Sequence, residues 1–153
     1  VAGISAGGDF GFDLSNNFKA PATSGVYKII VDFQSGKFTV TPYTGVLPTN
    51  LYVVGDATTG GWNNPVPVPS QQLTRVNSSA WEITLPLVGG KQYLLLPLNG
   101  DWGHKFAVAD KSVAGISAGG SFGYDLNDNF PGPAASGTYK ISVNFVTGKF
   151  TVQ

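Results

Sequence analysis

The sequence contains no cysteine and no methionine, and only 12% of its 153 residues are charged. Without cysteine, the chain can form neither a disulfide nor a thiolate metal site. Nine basic residues balance nine acidic residues, and the basic ones lie singly along the chain, so electrostatic binding of nucleic acid is not expected. No window of about 18 consecutive apolar residues occurs, so we expect no membrane span in this chain.

Residue types that carry out catalysis are equally scarce. Glycoside hydrolysis needs two facing carboxylates, but Glu82 is the sole glutamate and is predicted to lie on the outward face of a strand. Asp56 and Asp101 lie in loops, where aspartate commonly forms turns. His104 is the only histidine, and no nucleophile is paired with it in the sequence. We therefore predict that the protein is not an enzyme and uses no cofactor.

One spacing resembles the start of a calcium loop. Asp125, Asn127 and Asn129 alternate as ligands would, but Phe130 and Ser136 occupy the sixth and twelfth positions, where glycine and glutamate are needed. Aspartate and asparagine also form turns through their own side chains. The better interpretation is a set of such turns, and we predict no metal site.

One segment of the sequence occurs twice in the chain. Residues 1–40 recur as residues 113–152 at a constant offset of 112, with 28 of 40 positions identical. A period of this length is that of a whole domain. We predict that residues 1–42 are the C-terminal part of a truncated repeat and that residues 43–153 form one complete repeat. We also expect this chain to be a piece of a tandem array.

Glycine, proline and aromatic residues, together with the periodicity, favour β-strands over helices. In residues 138–145, polar side chains alternate with Tyr139, Ile141, Val143 and Phe145, the period of a half-buried strand. Gly148 then supplies the tight turn of a hairpin. Several short strands separated by turns predict an all-β fold, an antiparallel Ig-like β-sandwich.

Four strands are predicted in the front of the complete repeat, near residues 51–54, 72–76, 80–87 and 91–98. Trp81 shares a face with Ile83, Leu85 and Leu87, so we assign it to the core. Residues 91–98 are apolar on both faces, as is typical of a central strand. In the glycine-rich residues 113–137 we expect short extended pieces at 114–117 and 124–126.

Two further tryptophans lie in polar loops that directly follow predicted strands. Trp62 stands in the sequence GGWNN and Trp102 in the sequence NGDWGHK. Each indole could cap one end of the core. Two such tryptophans in similar loops favour a surface platform instead, because a flat indole matches the C–H face of a sugar ring. Neighbouring amide, carboxylate and ammonium groups can bond to sugar hydroxyls.

Three segments carry a resemblance to a known family: LYVVGDATTGGWNNPVPV, WEITLPLVGGKQYLLLPLNGDWG and GTYKISVNFVTGKFTV. Together they resemble the SusE/SusF family of outer-membrane starch-binding proteins of Bacteroidetes. The resemblance implies a non-catalytic module in a tandem array on the extracellular side of the outer membrane, with an α-glucan polysaccharide or oligosaccharide as its partner. It further implies a set of ligand-binding residues: Trp62 and Trp102 as platforms, Lys105 and Asn63 as hydroxyl partners, and Asp101 and Lys91 as additional candidates.

The truncated repeat supports a second hypothesis. Its strands would have open edges and an apolar face containing Tyr27, Ile29, Val31 and Phe33, and exposed edges of this kind pair with other strands. The segment could be disordered, pack on its own chain, or complete another chain by strand addition. The last outcome predicts self-association and a structural or adhesive repeat of a surface or filament-forming protein.

Overall fold

The computed structural model of the protein describes residues 5–153, so the first four residues of the predicted truncated repeat lie outside the described residues. The chain divides into two compact units, unit 1 (Val1–Gly45) and unit 2 (Val46–Gln153). Across residues 5–153 the regular structure is β-strand and all strand pairs are antiparallel. The predicted all-β class is confirmed. No helix that could cross a membrane is found in residues 5–153.

Unit 1 is a single three-stranded sheet. Its strands are β1 (Gly7–Asp9), β2 (Tyr27–Asp32) and β3 (Lys37–Pro42), arranged in the order β1-β3-β2. The hairpin between β2 and β3 is closed by Gly36, whose φ of 67° is easily reached only without a Cβ atom. The Asp32 carboxylate accepts hydrogen bonds from the backbone of Gln34 (2.9 Å) and Ser35 (3.2 Å), which fixes the turn.

Unit 2 consists of two sheets. The strands in chain order are β4 (Tyr52–Val54), β5 (Thr74–Arg75), β6 (Ala80–Leu87), β7 (Gln92–Leu96), β8 (Phe106–Ala107), β9 (Gly119–Ser121), β10 (Gly123–Tyr124), β11 (Phe130–Pro131), β12 (Gly137–Asn144) and β13 (Lys149–Val152). One sheet has the order β5-β6-β12-β13-β9, and the other has β10-β8-β7-β11 with β4 on the second edge of β7. This is consistent with the predicted β-sandwich, and the Ig-like assignment stays a prediction.

Aromatic side chains fill the space between the two sheets of unit 2. Trp81 is buried, as predicted, and its ring packs edge-on against Phe145 at 5.0 Å. Phe106 from the other sheet contacts the same phenylalanine at 4.8 Å, and Phe130 contacts Phe150 at 4.8 Å. Edge-to-face ring pairs at these separations are favourable beyond the area that they bury. The core therefore depends on rings contributed by both sheets.

A second apolar cluster explains why β7 is apolar on both faces. Leu94 and Leu96 point away from the aromatic core, and they are buried together with Val54, Val66 and Ala107. Val66 lies in the long loop between β4 and β5, so this loop covers the outer face of the sheet. The sequence predicted a central strand at this place, and the covering layer proves to be a loop.

The glycine-rich stretch differs from its prediction. Residues 114–117 are not extended, because hydrogen bonds from Ile116 N to Val113 O (3.1 Å) and from Ala118 N to Gly115 O (3.0 Å) close successive turns. The piece predicted at 124–126 overlaps β10 only at Tyr124, and the other stranded pieces are β9 and β11. The periodicity of side chains carries no signal for them, because a glycine-rich strand is defined by its backbone pairing alone.

The two copies of the repeat fold alike. In unit 1, β1 pairs with β3 so that Gly7 faces Thr39, and in unit 2, β9 pairs with β13 so that Gly119 faces Thr151. These partners are related by the sequence offset of 112. The turn glycines correspond as well, since Gly148 has a φ of 61°. Sequence identity between the copies is therefore matched by identical strand register.

Candidate functional site

The two loop tryptophans of unit 2 are both exposed. Trp62, in the loop after β4, has 40% of its surface accessible, and Trp102, in the loop after β7, has 52%. Trp81, by comparison, is 1% accessible. Neither loop tryptophan is therefore buried in the interior as Trp81 is.

Two asparagine side chains join the tryptophan loops to each other. The Asn64 side chain accepts a hydrogen bond from Gly100 N (2.7 Å) and donates one to Asp101 O (3.0 Å). The Asn99 side chain accepts from Val66 N (2.7 Å) and donates to Val66 O (3.2 Å). Each amide thus bonds to the backbone of the other loop through both its oxygen and its nitrogen. The two loops that carry the indoles form one hydrogen-bonded surface.

Buried polar groups anchor the Trp62 loop from below. The Gln71 side chain is almost fully buried, and its nitrogen donates to Val53 O (2.7 Å) while its oxygen accepts from Gly60 N (2.8 Å). Gly55 N donates to Gly61 O at 2.9 Å. Satisfied buried hydrogen bonds of this kind hold a loop in one conformation. Trp62 is therefore presented on a fixed turn.

A third aromatic group lies near Trp102. The Tyr124 ring stacks on the His104 ring with a centroid distance of 5.1 Å and an interplanar angle of 23°. His104 Nδ1 lies 2.7 Å from Asp125 Oδ2, and Asp125 Oδ1 accepts a hydrogen bond from Lys105 N (3.0 Å). Asp125 has a φ of 52°, a conformation that aspartate tolerates better than most residues. This aspartate thus joins β10 to the loop that contains Trp102.

The charges around Tyr124 affect its ionisation. Partial burial raises the pKa of the Tyr124 hydroxyl, and the negative charges of Asp125 and Asp101 raise it further. The phenol is therefore protonated at neutral pH and can donate a hydrogen bond. The pKa of Asp125 is lowered by the hydrogen bond from the Lys105 backbone and by the one to His104. Asp125 is therefore an ionised acceptor at neutral pH.

The resemblance implied four further residues: Asn63, Asp101, Lys105 and Lys91. Asn63 is exposed on the Trp62 loop and donates from Nδ2 to Gly60 O (2.9 Å). Asp101 accepts from Gly103 N (2.8 Å) beside Trp102, and Lys105 follows three residues after that tryptophan. Lys91 stands before the start of β7, whereas the Trp102 loop follows its end.

The length of β7 separates Lys91 from the Trp102 loop by roughly 16 Å. Its ammonium group lies 3.9 Å from the Asp56 carboxylate. Lys91 therefore lies at the opposite end of β7 from the Trp102 loop.

The only glutamate, Glu82, forms an ion pair. Glu82 Oε2 lies 2.8 Å from Lys140 Nζ, and Glu82 Oε1 accepts from Ser142 Oγ (3.2 Å). The hydrogen bond from Lys140 lowers the pKa of Glu82, although slight desolvation opposes it. A general acid needs a raised pKa, so this carboxylate is not tuned for that role.

Sequence reasoning did not assign four of the residues that shape this surface: Asn64, Asn99, Tyr124 and Asp125. Asn64 and Asn99 stand three positions and one position from glycine, and a turn-forming role is the default interpretation of asparagine there. Tyr124 lies in the glycine-rich stretch, far along the chain from both tryptophans. One signal was available, because the first copy of the repeat has Phe12 where the second has Tyr124. A hydroxyl group at only one of two otherwise similar positions indicates a polar role.

Comparisons with known proteins leave the chain without an assigned family. No protein-family model matches the sequence. A comparison with curated proteins finds no significant match.

Proposed function

We propose that unit 2 is a non-catalytic carbohydrate-binding module that holds an α-glucan on the surface formed by Trp62 and Trp102. The observation that carries this proposal is the direct joining of the two tryptophan loops by the Asn64 and Asn99 side chains. Two exposed indoles on adjoining, fixed loops suit the stacking of sugar rings. The resemblance to outer-membrane starch-binding proteins points to the same ligand class and to the outer surface of a cell.

Polar groups around the indoles suit sugar hydroxyls. Asn63, Asp101 and Lys105 lie on the two tryptophan loops and supply donors and acceptors. The protonated Tyr124 hydroxyl adds a donor next to the Trp102 loop. Because the two tryptophans are exposed on joined loops, a ligand could contact both, which favours an oligosaccharide or polysaccharide over a single small sugar.

The affinity of one module should be modest. Two exposed stacking faces must offset the loss of ligand freedom on binding, so we expect a Kd on the order of 0.1–1 mM, about −4 to −5.5 kcal/mol. In a tandem array, several modules would bind one polysaccharide chain with higher avidity through their effective concentration. Low affinity per module is thus compatible with firm attachment to starch.

Affinity electrophoresis in gels that contain soluble starch tests the proposal. The wild-type chain should be retarded, and Trp62→Ala and Trp102→Ala should each weaken binding by about tenfold or more, because each removes one stacking face. Gels with a β-glucan or a xylan separate α-glucan binding from general polysaccharide binding. Unchanged migration of the wild type with each polysaccharide would favour a structural repeat whose loops bind no sugar.

A matched pair from the two copies of the repeat supplies the control. Tyr124→Ala alters the proposed site, whereas Phe12→Ala alters the corresponding exposed ring of unit 1. We expect Tyr124→Ala to weaken retardation several-fold and Phe12→Ala to leave it unchanged. Equal effects of the two substitutions would contradict a site formed by the unit 2 loops.

A further inference from the structure

Unit 1 exposes the apolar face that unit 2 buries. Ile29 is 64% accessible, whereas its counterpart Ile141 is fully buried. Phe33 is 85% accessible, and its counterpart Phe145 is 4% accessible. In unit 2 this face is covered by the segment from β4 to β8, which packs its aromatic rings against it. Unit 1 therefore exposes one side of a hydrophobic core, and unit 2 shows which segment covers the same side there.

The exposed face is preorganised and contains a cavity. A volume of about 280 Å³ lies over it, and the residues that line this volume include Phe18, Ile29, Val31, Phe38 and Val40. Their counterparts in unit 2, related by the offset of 112, are all buried core residues: Phe130, Ile141, Val143, Phe150 and Val152. Phe18 and Phe38 pack edge-on at 4.8 Å, the same centroid distance as Phe130 and Phe150. The cavity is thus lined by side chains whose counterparts form part of the core of unit 2.

One edge of β2 is also open. Among the strands in residues 5–153, only β3 pairs with β2, whereas β12, its counterpart, pairs with both β13 and β6. An unpaired edge beside an uncovered apolar face is a template for an added strand. In unit 2, Ile141 faces Ile83 of β6, so the equivalent partner of Ile29 is a residue at the position of Ile83.

Three contacts of β6 and β7 in unit 2 show which side chains a matching segment would bring. Tyr93 stacks on Phe130 at 5.0 Å, Trp81 packs on Phe145 at 5.0 Å, and Glu82 pairs with Lys140 at 2.8 Å. Unit 1 has the residues that correspond to Phe130, Phe145 and Lys140, which are Phe18, Phe33 and Lys28. Phe18 and Phe33 could therefore each pack against one aromatic ring of an added segment, and Lys28 could pair with one carboxylate.

We propose that unit 1 is an acceptor that binds a polypeptide segment with the chemistry of residues 76–97, by adding its β6-like strand to β2. The added strand runs antiparallel to β2 in the register that β6 has with β12. The tryptophan of this strand packs on Phe33, and a tyrosine from the β7-like part of the segment packs on Phe18. This activity is independent of carbohydrate binding, because it uses none of the residues of the tryptophan loops.

An intact second copy of the chain does not provide this segment. Its β6 is already paired with its own β12, so an exchange between two copies would cover one face and uncover another. Association also costs translational and rotational freedom. The occupant is therefore a segment whose β6-like strand has no partner of its own.

Hydrogen exchange of the full chain, with and without a synthetic peptide of residues 76–97, tests the proposal. Bound peptide should slow amide exchange in residues 27–33 by about tenfold or more, because new backbone hydrogen bonds form along β2. Exchange in residues 137–144 should stay the same. A peptide that carries Trp81→Ala and Tyr93→Ala should protect residues 27–33 far less at equal concentration.

Two substitutions in β2 provide matched variants of the acceptor. Val31→Ser changes the apolar face and should weaken peptide binding roughly tenfold. Ile30→Ser changes the opposite face, where the second copy already has Ser142, and should change binding less than about twofold. Phe33→Ala, in the turn after β2, tests the tryptophan receptor without altering a paired strand. Unchanged exchange in β3 verifies that each variant keeps the sheet.

Three results would overturn the proposal. The first is the absence of protection in residues 27–33 at about 1 mM peptide, a concentration that saturates most specific weak complexes. The second is faster exchange in residues 80–87, which would mean that the peptide displaces β6 from unit 2. The third is concentration-dependent dimerisation of the chain alone with protection of β2, since a second copy would then cover the face.

Discussion

At the residue scale, one buried hydroxyl group has no hydrogen-bond partner. Tyr93 is fully buried, its ring stacks on Phe130, and its hydroxyl finds no partner among the described residues. A buried polar group without a partner costs about 1–3 kcal/mol of stability. The ring is therefore stabilising, whereas the hydroxyl oxygen is not.

We expect Tyr93→Phe to raise the free energy of unfolding by up to about 2 kcal/mol, because the variant keeps the stacked ring and removes the unsatisfied hydroxyl. Urea denaturation followed by tryptophan fluorescence measures this effect. A loss of more than about 1 kcal/mol would mean that the hydroxyl makes a favourable interaction.

The same residue predicts a pH dependence. Burial raises the pKa of Tyr93 above the value of about 10 that tyrosine has in an unfolded chain. The folded state therefore keeps this proton where the unfolded state loses it. Below pH 10 the ionisation of Tyr93 does not lower the free energy of unfolding. As the pH rises from there towards the folded pKa, it lowers this free energy by about 1.4 kcal/mol per pH unit. Between pH 9 and pH 11, the free energy of unfolding should therefore fall less in Tyr93→Phe than in the wild type, and denaturation curves at both pH values measure this difference.

At the scale of elements, the strands with alternating side chains were predictable and the glycine-rich ones were not. The predicted bounds of β6 match the structure, because Trp81, Leu85 and Leu87 are buried on one face. The pieces predicted in residues 113–137 were partly wrong, because turns replace the first of them. Burial of one face leaves a period in the sequence, whereas backbone pairing of glycine leaves none.

The joined tryptophan loops give a prediction at this scale. Asn99→Ala should lower the free energy of unfolding by about 1–3 kcal/mol, because the Val66 N–H and C=O groups both lose their partner. Retardation in starch gels should weaken as well, although no indole is removed. Asn63→Ala, whose bond stays within its own exposed loop, should change stability by less than about 0.5 kcal/mol. Equal destabilisation by both substitutions would contradict the special role of Asn99.

At the scale of the whole molecule, the repeat provides an internal comparison of the same side chain in two environments. Val143 is buried in unit 2, whereas Val31 is exposed in unit 1. We expect Val143→Ser to lower the stability of unit 2 by roughly 2–3 kcal/mol, because it places a hydroxyl group in the aromatic core. Val31→Ser should change that stability by less than about 0.5 kcal/mol.

Tryptophan fluorescence follows this difference directly, because Trp62, Trp81 and Trp102 all lie in unit 2. Guanidinium denaturation of both variants and the wild type gives the three unfolding free energies. A large loss of unit 2 stability in Val31→Ser would show that the exposed face of unit 1 contributes to the stability of unit 2.

Patterns in the sequence were enough to predict the all-β class, the duplicated hairpin and the burial of Trp81. These follow from periodicity and from identity between copies, which are local properties of the chain. Only the tertiary structure decided that Asn64 and Asn99 join two loops about 36 residues apart in the chain, and that Tyr124 and Asp125 lie beside the second of them. Such contacts depend on where strands pair, and a loop sequence does not encode which distant backbone its side chains will meet.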